Sequence, residues 1–369
     1  MINQIKGQDK VITALMRSKE NDKVGQSYLF HGPDGVGKLT TAFYFVMALN
    51  CTNPEAGTPC GKCNSCQKFR NLSHPDLIYL FPTPNLRLTE DGEIRDTRYQ
   101  KEYHDYIARK IETPWNDYVF SVSAEIRIGA IRWVQNRLSL SKNEARKRVC
   151  IIEDADRMNV NTANAFLKTL EEPPQDTVII LTTSKPNSLL PTIISRCQRV
   201  AFNNLTATTI EQILQENFKV DRVKAKTYAR IAYGNAEKAI QLISEDTDTG
   251  RNVALKLFEF ALENSDLDFL AFLNELKDVK QKKILLSVYS NIVIFLTDLI
   301  YLQENPDLIV NIDSIPLLEK ILEHKTITAI EIHALINEAK ELPRMIELNV
   351  NNNLIVIYLF NKVKNIIKR

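Results

Sequence analysis

Three groups of residues in this chain have types and spacings that could do chemistry. The first is His31-Gly32-Pro33-Asp34-Gly35-Val36-Gly37-Lys38-Leu39-Thr40, which places Gly32, Gly35, Gly37 and Lys38 in a G-x-x-x-x-G-K pattern behind the apolar run Tyr28-Leu29-Phe30. At a strand-to-helix turn, that spacing lets backbone N–H groups and the helix dipole cradle phosphate oxygens while the lysine reaches the terminal ones. The next position should carry a hydroxyl for the Mg²⁺ of a nucleotide, and here it is Leu39. Thr40, one place later, serves that role only if the loop register shifts.

The second group is Cys51, Cys60, Cys63 and Cys66. Two-residue gaps let consecutive thiolates face one ion, and Gly57, Pro59 and Gly61 allow the turns, so the set predicts a tetrahedral structural zinc site. Four idle thiols, or a two-cysteine redox pair, explain the clustering less well. The third group is Glu153-Asp154, which ends the buried-strand run Val149 to Ile152. Downstream of a phosphate loop, acids in that place hold Mg²⁺ and orient water. The polar end of the next strand, Thr182-Thr183-Ser184, lies where side chains could point at a γ-phosphate.

Positioning these groups takes a scaffold of some size. With 369 residues, two or three domains are expected, and 44% hydrophobic with 25% charged residues is a soluble, globular composition. A formal charge of +2 excludes a histone-like mode of nucleic-acid binding but permits a local basic face. The first residues hold no signal core and the longest apolar stretches, such as Asn291 to Ile300, read as too short or interrupted to span a bilayer, so no membrane partner and a cytoplasmic protein are expected.

Asp9 to Ser18 reads as an amphipathic helix, and the helix after the loop, Leu39 to Leu49, is apolar on nearly every side. His74 to Leu80, Val149 to Ile152 and Thr177 to Thr183 join Tyr28 to Phe30 as strands, with a helix at Ile128 to Leu140 and another at Asn161 to Glu171, capped by Asn161 or Thr162, and the first domain is expected to end near Arg199 to Phe202. Apolar strands alternating with helices predict an α/β domain over 1–202, a parallel sheet covered on both faces. Residues 85–118 read as a charged surface insertion, helical around Tyr99 to Ile111, whose interleaved acids weigh against a basic-aromatic nucleic-acid patch. Small helices fill 203–245, and 246–369 is helical to its end. The five histidines lack ligand spacing, Cys150 and Cys197 read as packing residues, and Arg146-Lys147-Arg148 reads as a solvated approach to a strand rather than a phosphate contact.

Taken together, Gly7-Gln8, the loop, the four-cysteine module, Ile152-Glu153-Asp154-Ala155-Asp156, Asn164 to Pro174 with its E-E-P-P, and Ser195-Arg196-Cys197 resemble the bacterial clamp-loader branch of the AAA+ proteins. The resemblance implies an AAA+ P-loop domain, a lid over 203–245 and an oligomerisation collar over 246–369, where Asn349 to Leu354 resembles the closing helix. It implies a place in the DNA polymerase III holoenzyme without a polymerase site, with gamma/tau and delta subunits, a sliding clamp and primed DNA as partners. ATP or ADP with Mg²⁺ and a structural zinc are the implied ligands. It also implies that Arg196 acts as an arginine finger in a neighbour's ATP site, the alternative being that it pairs with an acid on its own surface. Within the branch, the gamma/tau type has Thr after the loop lysine, Asp-Glu at the strand end and an arginine in a G-x-x-R segment. Leu39, Glu153-Asp154 and Glu237 stand at those positions here, and the long tau tail has no counterpart, so the pattern is similar to the delta-prime type. An ATP-hydrolysing gamma/tau-type subunit is the alternative. The departures predict that this chain does not itself hydrolyse ATP.

Overall fold

In the computed structural model, residues 5–55, 57–86, 94, 97–113, 120–244, 249–275, 282–324, 327–339 and 351–368 are described. Most of the charged tract between Arg87 and Asp96, the connection at 245–248, and Asn349-Val350 of the collar motif lie outside them. The chain forms two compact units, one of residues 1–213 with 233–238 and the other of 214–232 with 239–369.

The first unit is built on five strands: β1 Ser27–His31, β2 Leu77–Leu80, β3 Arg148–Ile152, β4 Thr177–Thr183 and β5 Gln198–Ala201. They form one sheet in the order β2-β3-β4-β1-β5, and every pair is parallel, with Tyr28 opposite Ile180 and Cys150 opposite Ile179. Side chains of a strand alternate between faces, which is why almost continuous apolar runs are needed when both faces are covered. Tyr28, Phe30, Val149, Ile151, Val178 and Ile180 point to one face, where α1 (Asp9–Glu20), α2 (Lys38–Asn50) and α3 (Asn64–Arg70) bring Leu15, Phe45 and Phe69. Leu29, Ile78, Leu80, Cys150, Ile152, Ile179 and Leu181 point to the other. There they meet α5 (Ile128–Ser139) through Ile131, Val134 and Leu138, and α6 (Val160–Glu171) through Phe166 and Leu170. Asn159, not Asn161 or Thr162, caps α6: its side-chain oxygen accepts the Thr162 N–H at 2.9 Å, and the helix starts at Val160, one residue earlier than the sequence suggested.

Between β2 and α5 the insertion contributes α4, Gln100–Glu112. Between β4 and β5 lies the short α7, Pro191–Ile194. The basic run is anchored rather than free: Arg148 is buried and donates to the Leu138 carbonyl at 2.8 Å, and Lys147 pairs with Asp176 at 2.9 Å.

Helices α8 (Ala207–Phe218), α9 (Arg222–Ile231) and α10 (Ala236–Ser244) follow. The rest of the second unit comprises α11 (Thr249–Glu263), α12 (Asp266–Glu275), α13 (Lys282–Glu304), α14 (Ile315–His324), α15 (Ala329–Ala339) and α16 (Asn352–Lys368) around one apolar core. The stretch Ile284–Glu304 is long and apolar enough to cross a bilayer, contrary to the expectation that no run would be. Half of it is buried, because Leu285, Val288, Ile292, Phe295 and Leu299 pack inside the helical core and the polar Asn291 and Asp298 are buried with them. Asp298 accepts N–H groups of Val310 at 2.7 Å and Asn311 at 2.9 Å, plus the Asn311 amide at 2.8 Å. Asn311 in turn accepts Arg251 Nε, and Asp313 accepts Arg251 Nη2 at 2.7 Å, so one buried network ties α11 and α13 to the 309–314 segment.

Removing one partner of such a network leaves buried donors unsatisfied. Asp298→Ala should therefore lower the urea-derived unfolding free energy by about 3 kcal/mol; a change within the range of surface substitutions would show that the network carries no stability.

Candidate functional site

The loop between β1 and α2 occupies the C-terminal end of the sheet, at the point where the chain crosses from β1 to β2 on one side and returns from β4 to β5 on the other. Its shape is fixed by glycine. Gly32 has φ +152° and a Cβ there would lie 2.3 Å from the Phe202 carbonyl oxygen, while Gly35 and Gly37 also have positive φ. The loop is braced from both sides within its unit. Gln8 donates its amide to Asn203 O at 2.8 Å and Val36 O at 3.3 Å, and the Ala236 N–H donates to Gly35 O at 2.9 Å. Lys38 is buried and folds back on the loop itself, donating to Gly32 O at 2.8 Å and Pro33 O at 2.5 Å. Burial lowers its pKa, against the opposing pull of Asp34, Asp154, Glu237 and Asp156. Leu39 is not turned to the site as a ligand: it is buried in the apolar core with Val36 and Phe43. Thr40 lies in α2, where the helix already begins at Lys38.

The acids at the end of β3 meet different fates. Glu153 is held by three donors. Its Oε2 accepts the hydroxyls of Tyr79 and Tyr106, the latter at 2.5 Å, and its Oε1 accepts Lys110 Nζ at 3.0 Å. Burial by itself would raise the Glu153 carboxyl, but Lys110 and the two hydroxyls outweigh it and keep the pKa below the usual carboxylate value. Asp154 sits in the left-handed region at φ 48° and its N–H donates to Thr182 Oγ1 at 3.2 Å. Burial, with the nearby charges of Glu153 and Asp156, pushes its pKa up to about 7, against the pull of Lys110 and Lys38. Thr183 donates to Asp156 Oδ1 at 2.6 Å, so the hydroxyls at the end of β4 serve the chain's own acids and backbone rather than standing ready for a phosphate.

Of the sequence-derived residues, the glycine loop and Asp154 are thus brought together at Lys38, while Glu153 turns to Tyr79, Tyr106 and Lys110. The cysteines lie at the other end of α2, about 20 Å away by the rise of its 13 residues. Their four sulfurs all lie within 4.8 Å of one another and could hold one metal ion. Cys51 is 3.6 Å from Cys60 and 3.9 Å from Cys63, and the backbone N–H groups of Cys60 and Cys63 donate to the sulfurs of Cys51 and Cys60. Cys63 also caps α3, whose Phe69 stacks on the buried His74.

Arg196 is separate again. It follows α7, half-buried, and pairs with Glu171 at the end of α6: Nε donates to Glu171 Oε1 at 2.8 Å, Nη2 to the same oxygen, and Nη1 to Thr192 O at 2.8 Å. Cys197 beside it is buried, and burial pushes its thiol up to about 12, as it does for Cys150, in keeping with packing roles for both.

The residues that sequence reasoning did not find are Tyr79, Tyr106 and Lys110. A weak signal exists for the last two: Tyr103, Tyr106, Ile107 and Lys110 share one face of α4. Nothing local connects that face to Glu153.

A family model described as DNA polymerase III, delta subunit matches residues 7–206, more than half of the chain. DNA polymerase III subunit delta' of Bacillus subtilis (strain 168) is 31% identical over 253 residues, which cover 68% of this chain and 64% of that protein. DNA polymerase III subunit tau of the same organism is 26% identical over 259 residues, covering 70% and 37%. The chain therefore spans less than two thirds of the length of either curated relative. A gamma subunit-related protein of Thermotoga maritima aligns with 97% of this chain and 99% of its own, at 18% identity and a TM-score of 0.45.

The raised Asp154 pKa has a testable sign. The folded state holds a proton that the unfolded chain releases near pH 4, so this residue's contribution to stability is full below that pH and is lost as pH rises to about 7. Asp154→Asn, which tolerates the left-handed backbone, should leave stability at pH 4 unchanged and raise it at pH 8 by up to about 4 kcal/mol; equal effects at both pH values in denaturant titrations would contradict this.

Proposed function

The chain belongs to the DNA polymerase III, delta subunit family, and from that membership we propose that it is a delta-prime-type AAA+ subunit of a clamp loader. In this reading it assembles in the cytoplasm with gamma/tau and delta subunits and helps place a sliding clamp on primed DNA. Residues 1–202 act as the AAA+ domain, 203–245 as a lid, and 246–369 as the collar through which a ring assembles. Its role is that of a rigid frame, and its catalytic contribution is made at a neighbour's site.

The observation that carries this is the charge around Lys38. One buried ammonium, already bonded to two loop carbonyls, faces Asp34, Asp154, Asp156 and Glu237. Glu237 stands where an arginine would favour a γ-phosphate; a carboxylate there repels one. Leu39 supplies no hydroxyl for Mg²⁺. The loop keeps the backbone of a phosphate cradle, so ATP or ADP remains a candidate ligand for binding, while turnover has lost its parts. The gamma/tau reading draws on the similarity to tau and on the retained lysine, but it asks Leu39, Glu153 and Glu237 for chemistry their side chains do not provide.

Arg196 is the residue that completes the reading. Its guanidinium is fixed at the corner between α7 and β5 by Thr192 O on one side and Glu171 on the other. From such an edge, a planar cation offered to a neighbouring subunit's bound ATP would neutralise charge that develops on the transferred phosphoryl group. The metal is assigned as zinc in a structural role. Zn–S bonds of about 2.3 Å in a tetrahedron set sulfur separations of about 3.8 Å, close to the 3.6 and 3.9 Å found for Cys51 with Cys60 and Cys63. Cys51, Cys60, Cys63 and Cys66 would hold it as thiolates, closing the loop that links α2 to α3.

In a reconstituted clamp loader, Arg196→Ala is expected to leave this subunit folded and the ring intact by gel filtration, and to lower clamp- and DNA-stimulated ATP hydrolysis at least tenfold. Arg196→Lys should restore little, because an ammonium does not reproduce the planar fork. An unchanged rate would remove the finger role.

A further inference from the structure

The insertion between β2 and α5 has no part in the function proposed above, yet it supplies two of the three groups that hold Glu153. Glu153 stands where the family places the acid that supports Mg²⁺, so the fit of that ion can be judged from its surroundings. Both carboxylate oxygens are engaged: Oε2 by the Tyr79 and Tyr106 hydroxyls, which are themselves 3.0 Å apart, and Oε1 by Lys110 at 3.0 Å. Lys110 and Tyr106 are buried, and the tyrosine lies stacked between Phe81 and Phe120, with Tyr103 against the other side of Phe81.

Mg²⁺ needs six oxygens in near-ideal octahedral array and gives up its waters reluctantly. Here three donors point at the carboxylate and an ammonium already supplies the positive charge. Entry of the ion would place a dication against a buried lysine with its partner taken away, and both the repulsion and the stranded charge are costly at low dielectric. These residues do not fit Mg²⁺. Lys110 and Lys38 also pull on Asp154, but burial with the charges of Glu153 and Asp156 outweighs them and its pKa is raised, so Glu153 is the acid at this strand end that the chain's own cation balances.

We propose that Lys110, carried in by the insertion helix, is the resident cation of this strand end, and that a phosphate or nucleotide taken by the Gly32–Lys38 loop is bound without a divalent ion. The insertion thereby acquires a purpose: it commits the site to metal-free binding. This assignment stands whether or not Arg196 acts on a neighbour.

The test uses Mn²⁺ as the probe, titrated into the full chain with free ion counted by electron paramagnetic resonance. Wild type and Glu153→Gln should bind the same amount of Mn²⁺. Lys110→Met, checked for folding by circular dichroism, should gain one Mn²⁺ per chain, and the added Glu153→Gln change should abolish that gain. A wild-type ion that disappears in Glu153→Gln would overturn the proposal, and so would a folded Lys110→Met chain that gains none. Should Lys110→Met fail to fold, the comparison of wild type with Glu153→Gln still decides.

Discussion

A carboxylate buried at the end of a central strand must be paired, because the interior cannot solvate it and an unpartnered charge there costs more than folding can spare. Much of the first unit answers that one requirement. Glu153 is met by Lys110 and two tyrosines, Lys38 faces the acids near the loop, and Asp154 answers by shifting its protonation instead. Meeting Glu153 from a distance is what requires α4 to pack as it does, with an aromatic stack of Phe81, Tyr103, Tyr106 and Phe120 against the edge of the sheet. A metal-dependent ATPase settles the same electrostatic problem with Mg²⁺ and phosphate. This chain settles it at Glu153 with its own side chains.

The same economy shows at both ends of α2. At its start, three glycines, Gln8 and the Ala236 N–H hold a loop in the shape of a phosphate cradle. At its end, four sulfurs converge and their neighbouring backbone N–H groups point at them. Asp76 adds a third fixed point, its carboxylate accepting the N–H groups of Asn143, Glu144 and Ala145 at 2.7 to 2.8 Å. In the second unit, Asp298 and Arg251 do for the helical core what these contacts do for the sheet.

Much of the fold is legible in the sequence. Four of the five strands, the glycine loop and the cysteine set follow from apolar runs and spacing; β5, with Gln198, Arg199 and Ala201 exposed, lacks the apolar run that marks the others. The structure bears on Leu39 by placing it in the apolar core, as its residue type suggests. Pairings across long sequence distance were not legible. Glu153 meets Lys110 across 43 positions, and Arg196 meets Glu171 across 25, through tertiary packing that no local pattern encodes. The insertion read as solvated surface because its charges are dense, and the buried face of α4 is a minority of its residues. The cap of α6 was missed because Asn159, Asn161 and Thr162 are all competent capping types, and only the backbone direction chooses among them.

On the proposed reading, the loop of this chain has the form of an ATP site without its chemistry. Single-turnover hydrolysis of ATP with Mg²⁺ by the isolated chain, in excess over nucleotide, tests it most directly. The account predicts product formation no faster than in buffer, for the wild type and for Lys38→Ala alike; turnover by the wild type that Lys38→Ala abolishes would contradict it.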